Sequence, residues 1–361
     1  MGVKLFGDRY RDCRVLLTGH TGFKGSWLAL WLKEIGAEVV GISLDPIAGE
    51  NHWDLLKLDA VDHRQDIRDA GKLAALVQAA RPEIVFHLAA QPLVRRSYRE
   101  PIETWSTNVM GTANLLEACR HAGGVKAVVA VTTDKVYANR ERPTGYREND
   151  PLGGHDPYSA SKAACEILIE SYRKAFFNSD HGPLLASARG GNVIGGGDWS
   201  EDRLIPDVVR AVSRGQPLVI RSPDATRPWQ HVLDCLAGYL LLGQKLLEAR
   251  RECAVAWNFG PDQEDNRTVA DVLGLLKSHW PELEWERARD SQAHEATLLS
   301  LDPAKAKSIL NWRQVWKIEQ ALKATTDWYR RFDTGGAIGS RDQLAAYINE
   351  ARAAAMSWVQ P

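Results

Sequence analysis

Tyr158 and Lys162 close the run Tyr-Ser-Ala-Ser-Lys, and four residues of separation puts both on one face of a helix. A free phenol titrates at about 10. A cation beside it favours the phenolate, so the pair makes a usable base for drawing a proton from an alcohol near neutrality. The run Thr132 to Tyr137 supplies a second hydroxyl, Thr133, to hold the same alcohol oxygen. Asp134 and Lys135 follow it directly. Simple alcohol oxidation has no need of that carboxyl and that amine, so they point to proton donation and removal beyond the redox step. The plainer reading makes Tyr158 and Lys162 helix surface, and Asp134 and Lys135 turn residues with Asp134 as a cap.

Oxidation requires an electron acceptor, and the stretch Gly19 to Leu28 (GHTGFKGSWL) offers a place for one. It follows the apolar run Arg14 to Thr18 and opens the amphipathic run Ser26 to Ile35. Strand, glycine turn and helix therefore come in the order of a dinucleotide site, here spaced GxxGxxG and not GxGxxG. Gly19 permits the turn, Gly22 lets the backbone approach a pyrophosphate, and Gly25 lets helix and strand pack closely. The helix N-terminus presents N–H groups to the phosphates. Asp45 ends the second apolar run, where a carboxylate accepts the ribose hydroxyls and repels a 2′-phosphate. With no arginine between positions 41 and 63, NAD is expected over NADP. Asp66 is placed to meet the adenine amino group. A cationic nicotinamide adds to the effect of Lys162 on Tyr158.

These residues need a scaffold. Strand-like runs at Arg14–Thr18, Glu38–Leu44, Glu83–Leu88, Val125–Val131 and Leu184–Arg189 alternate with helical patterns at Ala70–Ala80, Pro101–His121 and Ala160–Phe177. Gln65–Arg68 lies where a third strand ends. Such alternation predicts an α/β fold: a Rossmann-type doubly wound parallel sheet with a smaller mixed α/β cap. Residues 1–190 form the NAD-binding part. Residues 191–361 form mainly the substrate part, with some segments returning to the sheet. Helices are expected at Ile205–Arg214, Trp229–Leu247, Val269–Ser278 and Ile318–Phe332. The tail from Asp342 to Pro361 reads as a surface helix, with Trp358 able to dock.

The chain of 361 residues carries a formal net charge of -1, with 44% hydrophobic and 25% charged residues. That balance argues against nucleic acid or an anionic membrane as partner. No apolar run reaches the ~18 residues of a membrane span. The first ten residues lack the apolar core of a secretory signal, and Phe6 breaks a myristoylation motif. Five scattered cysteines read as buried thiols of a cytoplasmic protein. No histidine spacing suggests a metal site.

Taken together, the chain resembles the extended short-chain dehydrogenases/reductases of the nucleotide-sugar branch, and within them the CDP-glucose 4,6-dehydratases. The likeness is carried by GHTGFKGSWL, HLAAQPLVRRSY (His87–Tyr98), TTDKVYAN (Thr132–Asn139), GYRENDPLGGHDPYSASKAACE (Gly145–Glu166), ARGGNVIGGGDW (Ala188–Trp199) and RPWQHVLD (Arg227–Asp234). Over roughly the last 100 residues it is one of general pattern.

The resemblance implies tightly bound NAD restored within each turnover, oxidation at C4 of CDP-D-glucose, loss of water across C5–C6, and deoxysugar (O-antigen, lipopolysaccharide) biosynthesis. It implies catalytic roles for Thr133, Asp134 (acid at C6), Lys135, Tyr158 and Lys162. The relatives that act on thymidine-diphosphate sugars have Asp-Glu where this chain has Asp134-Lys135, so Lys135 is either the C5 base or a fixed charge. Cofactor contacts fall on Gly19, Thr21, Gly22, Phe23, Lys24, Gly25, Asp45, Asp66, Ile67, Leu88, Ala89, Ala90, Tyr158 and Lys162. Substrate contacts fall on Gln91, Asn108, Asn192, Arg203, Leu204, Arg227 and His231, with Asn108 fixing backbone behind the site. Arg95 lies toward the nicotinamide side. Trp199 and Trp229 either stack on a pyrimidine or pack the cap. A homodimer or tetramer through the two long helices is expected. The alternatives are a nucleotide-sugar 4-epimerase, a 4,6-dehydratase of another nucleotide sugar, and an NAD-sensing protein.

Overall fold

The computed structural model describes residues 4–178, 182–288 and 298–360. Seven strands form one parallel sheet: β1 (Arg14–Thr18), β2 (Glu38–Ser43), β3 (Val61–Arg64), β4 (Ile84–His87), β5 (Ala127–Val131), β6 (Leu184–Gly190) and β7 (Ala256–Phe259). Their spatial order is β3-β2-β1-β4-β5-β6-β7. Strand order reverses between β1 and β4, so a crevice opens there at the carboxyl ends of the strands.

Both faces of the sheet are covered, which is why its central strands are continuous apolar runs. On one face lie α1 (Phe23–Glu34) and, from late in the chain, α5 (Val232–Leu247). On the other lie α2 (Ala70–Ala80), α3 (Gly111–His121) and α4 (Pro157–Ala175), which bury Leu73, Val77, Leu115, Leu116 and Ile169. Asp69 caps α2 by accepting from the Lys72 N–H. Asp156 caps α4 from the Ser159 N–H, with Pro157 in its first turn. The helix therefore starts three residues earlier than its apolar pattern suggests, and Tyr158 sits at its opening.

The rod expected over Pro101–His121 is broken by a π-helical turn, Ser106–Met110, ahead of α3. The Asn108 carbonyl in that turn accepts from Thr112 Oγ1 at 2.6 Å and from Cys165 Sγ at 3.0 Å, so side chains take up what the helix ladder gives away. The helix expected from Trp229 begins only at Val232, because Gln230–His231 pairs in parallel with Val193–Ile194.

After β6 the chain builds a smaller layer over the carboxyl edge. It contains helices Leu204–Ser213, Val269–His279 and Ile318–Gly335, and the paired segments Leu218–Ile220 with Trp285–Arg287 and Thr226–Pro228 with Asn266–Thr268. All five cysteines are free and buried. Among the described residues no helix is long and apolar enough to cross a membrane, and no group of side chains could hold a metal ion.

The tail is docked, and a surface helix is not an adequate description of it. Helix Ser340–Ala353 sends the Tyr347 hydroxyl to Asp234 Oδ1 at 2.8 Å. Trp358 is buried, stacks on Phe6 at 5.0 Å and meets Trp31 edge-on. Val359–Gln360 pairs antiparallel with Lys4–Leu5, so the two ends of the described chain close on each other. Trp358→Ala should lower the unfolding free energy by about 3–5 kcal/mol. A fall in the urea midpoint at constant slope would show it.

Candidate functional site

The crevice widens into a cleft of about 1650 Å³ between the sheet edge and the cap. At its floor Gly19 has φ +76°, and a Cβ there would meet the Ala89 backbone at 2.6 Å. A Cβ on Gly25 would meet the Gly19 carbonyl at 2.0 Å. Those two glycines are demanded by the chain itself. At Gly22 the nearest atom to a Cβ is the Gly19 carbonyl at 3.4 Å, so the chain itself leaves room there. Gly22 is the N-cap of α1 and gives no side-chain cap, leaving the first N–H groups of the helix open to an anion. This cradle fits a pyrophosphate. Thr21, Phe23 and Lys24 line the same wall. Thr21 Oγ1 ties the turn to the end of β2 through Ser43 Oγ at 2.7 Å and the Leu44 carbonyl at 3.1 Å.

The adenosine end follows. Asp45 is exposed at the rim with Arg64 Nε 3.8 Å from it, a neighbour that a search of positions 41–63 stops one residue short of finding. Asp66 faces the cleft, but its carboxylate already accepts from the Arg68 guanidinium and backbone, which lowers its pKa. Ile67, Leu88, Ala89 and Ala90 line the wall between the two ends.

At the inner end β5 delivers Thr132, Thr133 and Asp134, and α4 delivers Tyr158 and Lys162. Thr133 Oγ1 donates to Asp134 Oδ1 at 2.9 Å and accepts from the Lys135 N–H at 3.3 Å. Burial pushes the Tyr158 phenol up to about 12, although its hydrogen bond with Thr133 and the charge of Arg203 pull the other way. Lys162 donates to the Val131 carbonyl at 3.3 Å, and burial lowers its own pKa. The protein alone thus leaves the phenol protonated at neutral pH, against the expectation placed on Lys162. The i, i+4 face is as predicted, but desolvation outweighs the charges around it.

Asp134 is 2% exposed, and burial raises its pKa despite the opposing charges of Lys135, Arg227 and Lys24. Among the described residues its Oδ2 has no hydrogen-bond partner, and it lies so close to Gly191 that a Cβ there would collide with it. Lys135, half-buried, lines the cleft beside it.

The cap side contributes Asn192, in the left-handed region at φ +27°, with Arg203, Leu204 and Arg227. Arg203 lies 3.7 Å from Asp198, and Arg227 donates to the Thr226 carbonyl. Arg95 lines the opposite lip and pairs with Asp202 at 2.5 Å.

Two of the residues placed on the substrate side stand off the cleft, His231 against expectation and Asn108 as a residue that fixes backbone behind the site. His231 does not line the cleft: it is fully buried, caps α5 by accepting from the Leu233 N–H, and lies edge-on to Trp316 at 4.7 Å. Its pKa falls to about 3 by burial, so it is a neutral core residue. Asn108 also lies behind the cleft wall, where it holds the Gln91 backbone from both sides at 2.8 and 3.1 Å and donates to Ser161. Gln91 lines the cleft, but its amide is spent on Leu93 and Thr104. Trp199 packs against Trp328, Tyr329 and Phe332, and Trp229 donates to the Arg267 carbonyl. Both tryptophans pack in the cap and both also line the cleft.

Sequence reasoning assigned no role to Glu166. It lies one turn beyond Lys162, and that spacing was the available signal. Its carboxylate accepts from Thr132 Oγ1, Ser187 Oγ at 2.8 Å and Arg189 at 2.8 Å. Arg189 also donates to the Tyr137 hydroxyl at 2.8 Å.

Comparison with known proteins agrees with this geometry. The profile of the family described as GDP-mannose 4,6 dehydratase matches residues 16–325. The chain is 46% identical over 345 residues to CDP-glucose 4,6-dehydratase of Salmonella typhimurium, covering 93% of this chain and 96% of that one. It is 31% identical to a dTDP-glucose 4,6-dehydratase of Xanthomonas campestris, over 87% of this chain and 92% of the other. Among solved structures, the dTDP-glucose 4,6-dehydratase of Streptomyces venezuelae with NAD and TYD bound superposes with a TM-score of 0.75 at 28% identity, covering 88% and 97% of the two chains. UDP-glucose 4-epimerase of Thermotoga maritima with UDP-glucose gives 0.74 at 25% identity, covering 88% and 98%. A profile matched across residues 16–325 and a near full-length relative lead to one conclusion: the chain belongs to the GDP-mannose 4,6 dehydratase family.

Proposed function

We propose that the protein is a CDP-D-glucose 4,6-dehydratase working with NAD held in the cleft. The observation that carries this is Asp134: a buried carboxyl, its pKa raised and one oxygen unpartnered, next to the Thr133–Tyr158 pair. A 4-epimerase has no use for an acid there, whereas elimination of a hydroxyl needs one. The cytidine assignment is supported by the 46% identity to a relative of that name, against 31% for one named for dTDP-glucose.

In this reading residues 1–190 mainly hold the cofactor and residues 191–361 mainly the sugar nucleotide. Gly19 to Gly25 hold the pyrophosphate, Asp45 the ribose, Asp66 and Ile67 the adenine, Leu88 to Ala90 the span between, and Tyr158 with Lys162 the nicotinamide end. Bound there, NAD would supply the acceptor for hydride from C4 and the source of hydride for C6. Tyr158, steadied by Thr133, takes the 4-hydroxyl proton as the phenolate, a form that the positive charge of an oxidised nicotinamide beside it would favour against the burial that keeps the phenol protonated in the protein alone. The resulting 4-ketone acidifies the C5 hydrogen, and Lys135 removes it. Asp134 gives its proton to the C6 hydroxyl, which leaves as water; with hydride placed on C6 and the proton held by Lys135 returned to C5, the product is CDP-4-keto-6-deoxy-D-glucose. Asn192, Arg203, Leu204 and Arg227 meet the nucleotide diphosphate, where guanidinium groups match phosphate oxygens.

Incubation of CDP-glucose, dTDP-glucose and GDP-mannose with protein and NAD, followed by mass spectrometry, tests the reading. Loss of one water from CDP-glucose alone is the expected result. An unchanged mass with an epimerised sugar would replace it.

Asp134 acts only while protonated, and its pKa is raised. Turnover should therefore persist above the ordinary carboxylate range and fall as pH rises through the raised value. Asp134→Asn should remove that alkaline limb and lower kcat about 10²–10⁴-fold with KM little changed. Lys135→Ala should stop solvent deuterium entering C5, and exchange at the unmodified rate would exclude Lys135 as the base.

The proposal extends to assembly. Ile102, Trp105, Met110 and Ile167 are exposed on the rod and on α4, an apolar face across the two neighbouring helices. A second copy of the chain covers such a face in a homodimer. Light scattering at micromolar concentration should give twice the chain mass. Four times that mass would indicate a tetramer, and a monomer would end the assignment.

A further inference from the structure

Of the motif RPWQHVLD only Arg227 has a place in the proposed reaction, yet Gln230 in the same run is fully buried and meets the wall of the site from behind. β6 ends at Gly190 and β7 at Phe259, so carbonyls at and beyond the last rung of that ladder need partners from elsewhere. Gln230 supplies one. Its Nε2 donates to the Phe259 carbonyl at 2.8 Å and to the Gly191 carbonyl at 3.3 Å. Its backbone N–H donates to the Asn192 carbonyl at 3.3 Å, and Gln230–His231 pairs in parallel with Val193–Ile194. Both the main chain and the side chain of one residue therefore hold Gly191–Asn192. That segment needs holding, because Asn192 stands at φ +27°, a conformation that persists only where its surroundings impose it.

On its other side Gly191 meets Asp134. The carboxyl lies so near that a Cβ at Gly191 would collide with it, so bare backbone forms the wall beside Oδ2. That oxygen is shielded from solvent and, among the described residues, has no hydrogen-bond partner. We infer that Gln230 is a positioning residue: its amide clamps the Gly191 backbone against the Asp134 carboxyl and so keeps water off Oδ2. This rests on the reading of Asp134 as the acid at C6. A carboxyl kept dry stays protonated, since burial disfavours its charged form. Lys135 on its own turn, Arg227 from the cap and Lys24 from the glycine turn pull the other way, and Tyr158 of α4 and Tyr239 of α5 feel its charge. Gln230 carries no charge, so replacing it leaves all five groups in place and changes only the wall.

The test is a pH titration of the Asp134 carboxyl by infrared difference spectroscopy without substrate, following the band that Asp134→Asn removes, in the unmodified protein and in Gln230→Met. Methionine keeps the length of glutamine but donates nothing, which leaves the Gly191 and Phe259 carbonyls buried without that partner. The carboxyl of Gln230→Met should ionise about one pH unit lower, and the alkaline limb of kcat for CDP-glucose should move down with it, a loss of about tenfold at a fixed pH on that limb. A merely structural role would lower the melting temperature and leave both titrations in place, and that result would overturn the inference. Gly191→Ala disturbs the same contact from the wall side and should shift the titration in the same direction. It decides the question where Gln230→Met does not fold, and an unmoved carboxyl there would also overturn the inference. A carboxyl that titrates lower in Gln230→Met while the kcat limb stays put would support the clamp and remove Asp134 as the acid.

Discussion

The site depends first on a buried ion pair that touches no part of the cleft chemistry. Glu166 and Arg189 are almost fully shielded from water, 2.8 Å apart, on α4 and β6. Their pKa values move apart, Glu166 downward and Arg189 upward, as a satisfied pair requires. Removing one partner of such a pair typically costs about 3–5 kcal/mol, because the other charge is stranded. What the pair gains in return is position. Glu166 reaches Thr132 on the strand that carries Thr133 and Asp134, and Arg189 reaches Tyr137 just beyond them. Tyr158, Lys162 and Glu166 share one helix face, so the same carboxylate that grips β5 also fixes where the phenol and ammonium stand.

Burial, more than neighbouring charge, governs the titrating groups held by that frame. Asp134 has three cations among its influences and still shifts upward. Tyr158 shifts upward too, and Lys162 downward. All three are displaced toward their neutral forms, the direction that desolvation imposes on acids and bases alike. A cleft built this way holds its buried proton donors loaded. Spacing in the sequence shows which groups meet, but the depth at which they meet is a property of the closed fold.

That distinction marks how much was legible. β1 and α2 have the bounds read from the chain, Arg14–Thr18 and Ala70–Ala80, because two-sided burial writes an unbroken apolar run and Asp69 announces a helix start. The glycine turn was legible because its reasons are local: Gly19 and Gly25 meet within one strand–helix connection. β3 showed only its end. It is an edge strand of sequence Val-Asp-His-Arg, largely exposed, and so carries no apolar signature. Arg64 beside Asp45 was missed for the same reason, since parallel pairing of β2 with β3 brings Arg64 level with Ser43 from across the sheet. The docking of Trp358 rests on Phe6 and Trp31, and the role of His231 on Trp316 and α5. Contacts that distant in the chain leave no periodic trace, so a histidine beside a motif was read as a ligand when it is a cap.

The two proton sites that the proposed reaction needs are linked through one side chain. Thr133 hydrogen-bonds with Tyr158 on one side and donates to Asp134 on the other, so the group acting at C4 and the group acting at C6 share a neighbour. They also share a field: a charged Asp134 raises the Tyr158 pKa. By symmetry, a charged Tyr158 opposes ionisation of Asp134. The state with both groups charged is therefore disfavoured. While Asp134 keeps its proton, the phenolate is least opposed, which suits withdrawal of the 4-hydroxyl proton. Once Tyr158 holds that proton it is neutral, and the obstacle to Asp134 releasing its own is gone. Oxidation before elimination is thus the order that the electrostatics of three adjacent side chains favours, without any movement of the chain to enforce it.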